Sequence, residues 1–586
     1  MPVTFRSLRK QAVEEPKLDS KPSKDGPLRL ESIQADARFL DDITPEFAIR
    51  NEILPLRRMG VVTLVAAVDY ERFQTTRATL ESRLGPVAHL PASRDVIRAA
   101  ITAAAGPTLA HKALRHTSLR ESCRAWSGPR SAGRLGGLAI LLLVMGYLNT
   151  SFLIWTVTIW ATLTLVAVTG LRTAGAIAQL RASRTLGETW HSARPVALAR
   201  HTYPSISVLV PLFNEHDIAP RLVARLSRLE YPQDKLEVLL ILEHSDSVTA
   251  NALAQSELPD WMRIITVPPG SPQTKPRALN YALDFANGEI IGIYDAEDAP
   301  APDQLRTVAD TFAKAPPNVA CLQGVLDFYN AHNTWLTRCF AIDYATWFRL
   351  VLPGLVRLGF AIPLGGTTVF FRRRILEKIG RWDAHNVTED ADLGLRLARR
   401  GYRTEFISSV TFEEAIATVP AWIRQRSRWI KGYAVSWAVH MRAPKRLLNE
   451  LGLRKFLGFQ ILFLGTLSQF VLAPYLWSFW LVLVGLPHPL GQIAPWGVVV
   501  AFAVAFLLCE IATIIALALS VATPRHRDLI WWVPLMHLYF PLSAFACWKA
   551  IAELTTRPFY WDKTAHGGPT SRPKRRWRRR QLQHHV

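Results

Sequence analysis

The sequence predicts an α/β domain inserted between transmembrane helices, with a smaller α/β unit ahead of it. Three observations predict this. Residues 200–440 alternate short apolar runs with stretches whose apolar residues recur at helical spacing. Residues 135–170 and 456–509 contain no Asp, Glu, Lys or Arg. Residues 52–105 repeat the strand–helix alternation on a smaller scale.

Composition agrees with a membrane protein. Of 586 residues 49% are apolar, with 19 Trp and 26 Phe. The 69 Lys and Arg against 47 Asp and Glu leave a net charge of +22. A polyanion or an anionic membrane would suit that charge. The basic residues sit beside the apolar runs, which favours the membrane over nucleic acid. Five cysteines at 123, 321, 339, 509 and 547 lack metal-like spacing, so no disulfide framework or zinc site is expected.

In chain order, residues 1–29 form a polar leader with no apolar core, and no signal peptide is read there. The small domain is placed at 30–130. Within it VVTLVAAVD and VAHLPA read as strands. ERFQTTRATLESRLG and SRDVIRAAITAA read as helices.

Residues 135–171 form a transmembrane hairpin. As one helix, 135–170 would be about 54 Å long, against a hydrocarbon core of about 30 Å. Gly146 and Asn149-Thr150 mark the break. Further spans are expected near 457–472, 474–487, 496–520 and 529–548 within 456–550, for six crossings, with four or five as the alternatives. Arg130, Arg134, Arg172, Arg181 and the block 441–455 put the flanks of both regions on the cytoplasmic side.

The central domain, 200–440, reads as a mostly parallel sheet with strands at ISVLV, KLEVLLILE, MRIITV and IIGIYDAED. Ligands of such sheets bind beyond the carboxyl ends of the strands. Polar clusters fall there: Asn214-Glu215, Glu243 to Asp246, and Asp295 to Asp298. Asp295, Glu297 and Asp298 are either a solvated turn or the holders of a cation. Asp303 is read as a helix-start acid. Glu389 and Asp390 stand at a helix start where Thr388 is a candidate cap. The helix WIRQRSRWIKGYAVSW places Arg424, Gln425, Arg428 and Trp429 on one broad face. Arginine suits phosphate there.

The ordered set VPLFNE, KPRALN, YDAED, TED and QRSRW, followed by apolar spans, resembles the membrane-embedded processive family 2 glycosyltransferases that include cellulose and hyaluronan synthases. The resemblance covers about 200–565. It implies a GT-A type nucleotide-sugar transferase domain. It places Glu243, with Asp246 as neighbour, at the nucleobase and Lys275 at the diphosphate. Asp295 becomes the first metal acid, with Glu297 or Asp298 completing a Mg2+ or Mn2+ site. Asp390 becomes the general base, with Glu389 beside it. Gln425, Arg428 and Trp429 take the diphosphate and the border of the acceptor site, and Gln323 and Gly366-Thr367 shape its pocket. FYWDKTAHG, at 559–567 within a 551–586 tail, resembles a gating element, with Lys563 and Thr564 in reach of a diphosphate. The 30–130 unit resembles the N-terminal domain of type II secretion ATPases. The motif for cyclic di-GMP is not evident in it.

The function this implies is an inverting, processive transferase. It would polymerise a UDP-sugar, best UDP-glucose, into a β-linked exopolysaccharide across a bacterial inner membrane, with export subunits as possible partners. One alternative is transfer of a single sugar to polyprenyl phosphate or another lipid. The other is a non-catalytic secretion scaffold, which the intact set Lys275, Asp295, Asp390 and Gln425-Arg428-Trp429 argues against.

Overall fold

The computed structural model describes residues 37–186, 203–215 and 219–560. The leader and most of the 551–586 tail, including Lys563 and Thr564, lie outside them. The chain divides into two compact units at Gly106.

In the first unit β1 (Ile53–Met59), β2 (Val62–Ala67) and β3 (Val87–Pro91) form a sheet in the order β1-β2-β3. β1 and β2 run antiparallel, while β2 and β3 run parallel across the helix Tyr70–Leu84. Asp69 caps that helix by accepting from the Arg72 amide at 2.6 Å. The expected strands and helix are all present. β1 was not foreseen, because Pro55 and the pair Arg57-Arg58 interrupt its alternation. Only its first half is buried.

The second unit carries an eight-stranded sheet, ordered β6-β5-β4-β7-β10-β9-β11-β8. The strands are β4 (Ile206–Leu212), β5 (Leu236–Glu243), β6 (Met262–Val267), β7 (Ile290–Ile293), β8 (Ala299–Pro300), β9 (Val319–Phe328), β10 (Val369–Arg372) and β11 (Arg403–Glu413). The first four in sheet order, β6, β5, β4 and β7, are parallel. β10 enters antiparallel between β7 and β9, and β8 pairs antiparallel with β11, so the sheet is mostly parallel with two reversed strands. This insertion positions the site. Val369 pairs with Ile293, so the Gly365–Thr368 loop leading into β10 lies beside the turn that leaves β7. The Thr368 amide closes the join on the Ile293 carbonyl at 2.8 Å.

The first hairpin is present as helices Gly128–Leu148 and Thr150–Leu186, broken at Asn149. The first starts before the charge-free stretch and the second runs past its end. Pro444–Leu483 and Trp496–Ser520 are likewise long and apolar enough to cross a membrane. The expected break at Pro474 does not occur. The helix runs through this proline, bending locally, because packed neighbours tolerate one missing donor. Trp335–Arg357 also passes by composition, but 72% of its apolar window is buried within the protein, so it belongs to the central domain.

The stretch expected to cross near 529–548 is a pair, Arg527–Tyr539 and Leu542–Thr556, bent by 46°. Both ends touch the central domain. His526 Nε2 lies 3.1 Å from Asp327 Oδ1, and Lys431 donates to Glu553 at 2.8 Å. These end contacts fit a pair that enters and returns on one side, which leaves four crossings among the described residues, the lowest of the counts the sequence allows. Even numbers on each flank keep the central domain on the basic, cytoplasmic side of this multi-pass protein.

Candidate active site

β7 ends at Ile293, and the acids that follow separate by role. Asp298 is fully buried. Its Oδ2 accepts from the Asp295 amide at 2.8 Å and from the Thr367 hydroxyl. Burial, with the charges of Asp295 and Glu297, pushes its carboxyl well above the usual range. Asp295 and Glu297 line a cavity of about 1120 Å³, and Asp298 lies behind them. The turn is not a solvated surface. Asp303 occupies a cap position but makes no side-chain cap bond.

Lys275 opens the helix Lys275–Phe285. Its ammonium donates to the Asp295 carboxylate and, at 2.8 Å, to the Gly366 carbonyl. Burial opposes its charge, yet Asp295, Glu389 and Asp390 outweigh burial and raise its pKa well above the ordinary value. Gly366 lies so close to Asp390 that a Cβ there would sit 3.1 Å from Oδ2. Gln323 fixes this loop from beneath. Its Oε1 accepts from the Gly365 amide at 2.8 Å, and its Nε2 donates to the Thr367 carbonyl at 3.2 Å. Gln323 thus supports the pocket wall from behind.

Glu389 and Asp390 begin the helix Glu389–Arg399 and line the cavity. Thr388 holds the cap position, but its side chain caps nothing. Burial, then the neighbouring Asp390 charge, raises Glu389 to about 8. Burial raises Asp390 to about 6, while the Ala391 amide, 2.7 Å away, and Lys275 limit the rise. At neutral pH Glu389 keeps its proton and Asp390 is ionised. Asp392 faces the other way, taking Arg396 at 2.7 Å and His440 at 2.9 Å.

Glu243 and Asp246 separate too. Glu243 ends β5, lines the cavity and holds Arg277 through contacts of 3.1 and 3.0 Å. Burial raises its pKa despite the arginine. The Asp246 carboxylate ties the turn after β5 to the turn after β4, accepting from the Thr249 hydroxyl at 2.6 Å and the Asn214 amide at 2.7 Å. It is not on the cavity wall.

The helix Val419–His440 supplies the remaining wall. Gly432 lets it seat on the start of the Glu389 helix, since a Cβ there would fall 2.1 Å from Thr388 Oγ1. Gln425, Arg428 and Trp429 line the cavity. Arg424, expected beside them, is exposed and turned away, because it lies about 100° around the helix from Gln425. Arg426 takes part instead. It pairs with Asp343, donates to the Tyr539 hydroxyl at 2.7 Å and faces the Trp429 ring at 4.7 Å. Its spacing three before Trp429 was the available signal. Glu413 was also missed. It ends β11, lines the cavity and has Oε1 buried without a hydrogen-bond partner. The strand-end rule that found Asp295 applies equally to the segment TFEEA.

One cavity joins these polar groups to the membrane helices. On those helices the lining joins an apolar set, Leu165, Val168, Leu467, Phe470, Leu476 and Phe506, to polar groups that include Arg172, Gln469 and Thr513.

Residues 290–548 match the model of glycosyl transferase family group 2. Among curated proteins, "Probable glycosyltransferase YdaM" of Bacillus subtilis (strain 168) is 30% identical over 232 residues, 39% of this chain and 55% of that protein. A "Beta-monoglucosyldiacylglycerol synthase" of Trichormus variabilis is 30% identical over 261 residues, 43% of this chain and 53% of that protein. The chain thus spans about half the length of these two relatives. A solved mannosyltransferase, PcManGT from Pyrobaculum calidifontis in complex with GDP-Man and Mn2+, is similar at a TM-score of 0.40 and 21% identity, over 65% of this chain and 99% of that one. The strand-end acids, the Asp390 helix and the Gln425–Trp429 wall are gathered on one cavity, most of whose polar lining falls in the stretch that is similar to glycosyl transferase family group 2.

Proposed function

We propose that the protein transfers a single sugar from a nucleotide-sugar donor to a lipid acceptor at the cytoplasmic face of the membrane. The observation that carries this is the cavity itself. It runs from Lys275, Asp295 and Asp390 to an apolar wall of membrane helices, without a barrier between them. A lipid hydroxyl can reach Asp390 while its chains stay among apolar side chains. The naming of curated relatives as diacylglycerol glucosyltransferases supports the same reading.

Each residue's part follows from its chemistry. The acceptor oxygen attacks the anomeric carbon and gives its proton to Asp390. The bond to the diphosphate breaks with its electron pair on the leaving group. A single displacement inverts the anomeric centre. Lys275 and Arg428 offset the charge that grows on the diphosphate. Among the described residues no three His, Cys, Asp or Glu side chains form a cage for a metal. Asp295 and Glu297 nonetheless supply two hard oxygen ligands, and this fits Mg2+ or Mn2+ completed by substrate phosphates. Such an ion would neutralise diphosphate charge. Glu243 and its Arg277 partner lie where the nucleobase of a UDP-sugar would bind, with UDP-glucose the first donor to try.

The test uses the purified full chain with labelled nucleotide sugars, a divalent cation and lipid vesicles. A glycolipid bearing one sugar is the expected product, and Asp390→Asn should abolish it. A long polymer would replace this reading with the processive one. Transfer to no lipid and no polymer would overturn both.

A further inference from the structure

Arg172 is a charged residue of the cavity wall that the proposed chemistry does not use. It lies in the membrane helix Thr150–Leu186 and lines the cavity beside Trp347, whose ring centre is 5.7 Å from its guanidinium carbon. Its Nε is buried without a hydrogen-bond partner. Among the described residues it forms no salt bridge with a carboxylate. Asp343, whose charge acts on it, is engaged by Arg426 and by the Tyr539 hydroxyl at 3.1 Å. Gln425 Oε1, on the same cavity lining, is also buried without a partner. A guanidinium with no directly paired carboxylate in a membrane helix is costly, and it marks a place where an anion binds.

Its depth indicates which anion. The helix begins at Thr150, on the far side of the hairpin turn. Arg172 lies about 33 Å along it. A hydrocarbon core is about 30 Å thick. Arg172 therefore sits at the near interface, where lipid phosphates lie, and faces the cavity rather than bulk lipid.

We infer that Arg172 holds the phosphate of the lipid acceptor, so that the substrate is a phospholipid with a free headgroup hydroxyl rather than a neutral diacylglycerol. This rests on the lipid-acceptor reading above and narrows it. Guanidinium donors pair with phosphate in a bidentate way, with the Trp347 ring packed on the flat face. Gln425 accepts from a second headgroup hydroxyl. The phosphate anchors the lipid at the interface while the reacting hydroxyl extends toward Asp390.

The experiment compares wild type, Arg172→Gln and Arg172→Lys in phosphatidylcholine vesicles doped with phosphatidylglycerol or with diacylglycerol, at saturating nucleotide sugar. Wild type should prefer phosphatidylglycerol. Arg172→Gln should raise KM for it by about tenfold or more. Its donor KM, melting temperature and kcat should stay near wild type, and Arg172→Lys should recover part of the loss. Equal use of diacylglycerol by wild type overturns the inference, as does an unchanged acceptor KM in Arg172→Gln. A rise in donor KM instead would assign Arg172 to the donor's diphosphate and overturn it as well. If wild type glycosylates diacylglycerol alone, the lipid reading stands and this inference falls. If it glycosylates no lipid, the parent reading falls with it.

Discussion

Asp298 and Thr367 share a hydrogen bond beneath the cavity floor, and this bond ties the acid turn after β7 to the loop before β10. Asp298 works as a buried, largely protonated brace, while Asp295 and Glu297 face the cavity. Asp298→Asn keeps a neutral acceptor of the same shape and should retain most transfer. Asp298→Ala leaves the Asp295 amide only its longer bond to the Thr367 hydroxyl at 3.2 Å and deprives that hydroxyl of its buried acceptor, which should cost about 1–3 kcal/mol of stability. Asp295→Ala should instead fold normally and lose the response to added Mg2+ or Mn2+. Thermal melting and a metal titration of activity separate the three variants.

The transfer rate should depend on pH through Asp390. Its carboxyl is raised to about 6, so it is ionised at neutral pH and protonated below. A base is needed in its ionised form. kcat/KM should therefore fall about tenfold per unit once pH drops below about 6. A flat profile from pH 5 to 7 would remove Asp390 from the role of base.

Stability should move in the opposite sense through Glu389. Its ordinary value is 4.5 and its folded value about 8, so the folded state binds more protons than the unfolded state between those values. Stability is then full below about 4.5 and falls as pH rises towards 8. Glu389→Gln cannot ionise. Its melting temperature should decline less than that of wild type across this window.

Gly432 should accept no side chain. A Cβ 2.1 Å from Thr388 Oγ1 must push the Val419–His440 helix off the start of the Glu389 helix. Gly432→Ala should cost about 1–3 kcal/mol and lower kcat by shifting Gln425 and Trp429 relative to Asp390. Melting and single-turnover rates with both substrates saturating would read this. Wild-type values in both would mean that the contact relaxes freely.

Glu413 gives a test at a position the sequence reading passed over. Burial and then the charges of Asp298, Glu297 and Asp295 hold its carboxyl well above the usual range. A neutral amide should therefore substitute well. Glu413→Gln is expected to keep most activity, and Glu413→Lys to lose it by placing a cation among the acids. Equal activity in both would mean the side chain does not matter to the site.

By itself, the sequence determined the elements and the chemistry of their ends. Strand periodicity and charge-free runs are local signals, so β2 to β7, the first hairpin and Trp496–Ser520 were legible, and so were the acids that follow strands. Which acid does what was not legible. Asp295 and Asp298 are three residues apart in one turn, and only the antiparallel entry of β10 brings Thr367 to one and leaves the cavity to the other. Asp246 and Arg424 were equally plausible by type, yet the amides of Asn214 and Thr249 claim the first and helix rotation exposes the second. The bent pair after Arg527 reads as a crossing from its apolar composition alone. Contacts at its two ends, with Asp327 and with Lys431, return it to the side it left. Residue type and period set what each segment can do. Pairing register and long-range contacts between residues far apart in the chain decided which groups meet, because those contacts exist only once the chain has folded.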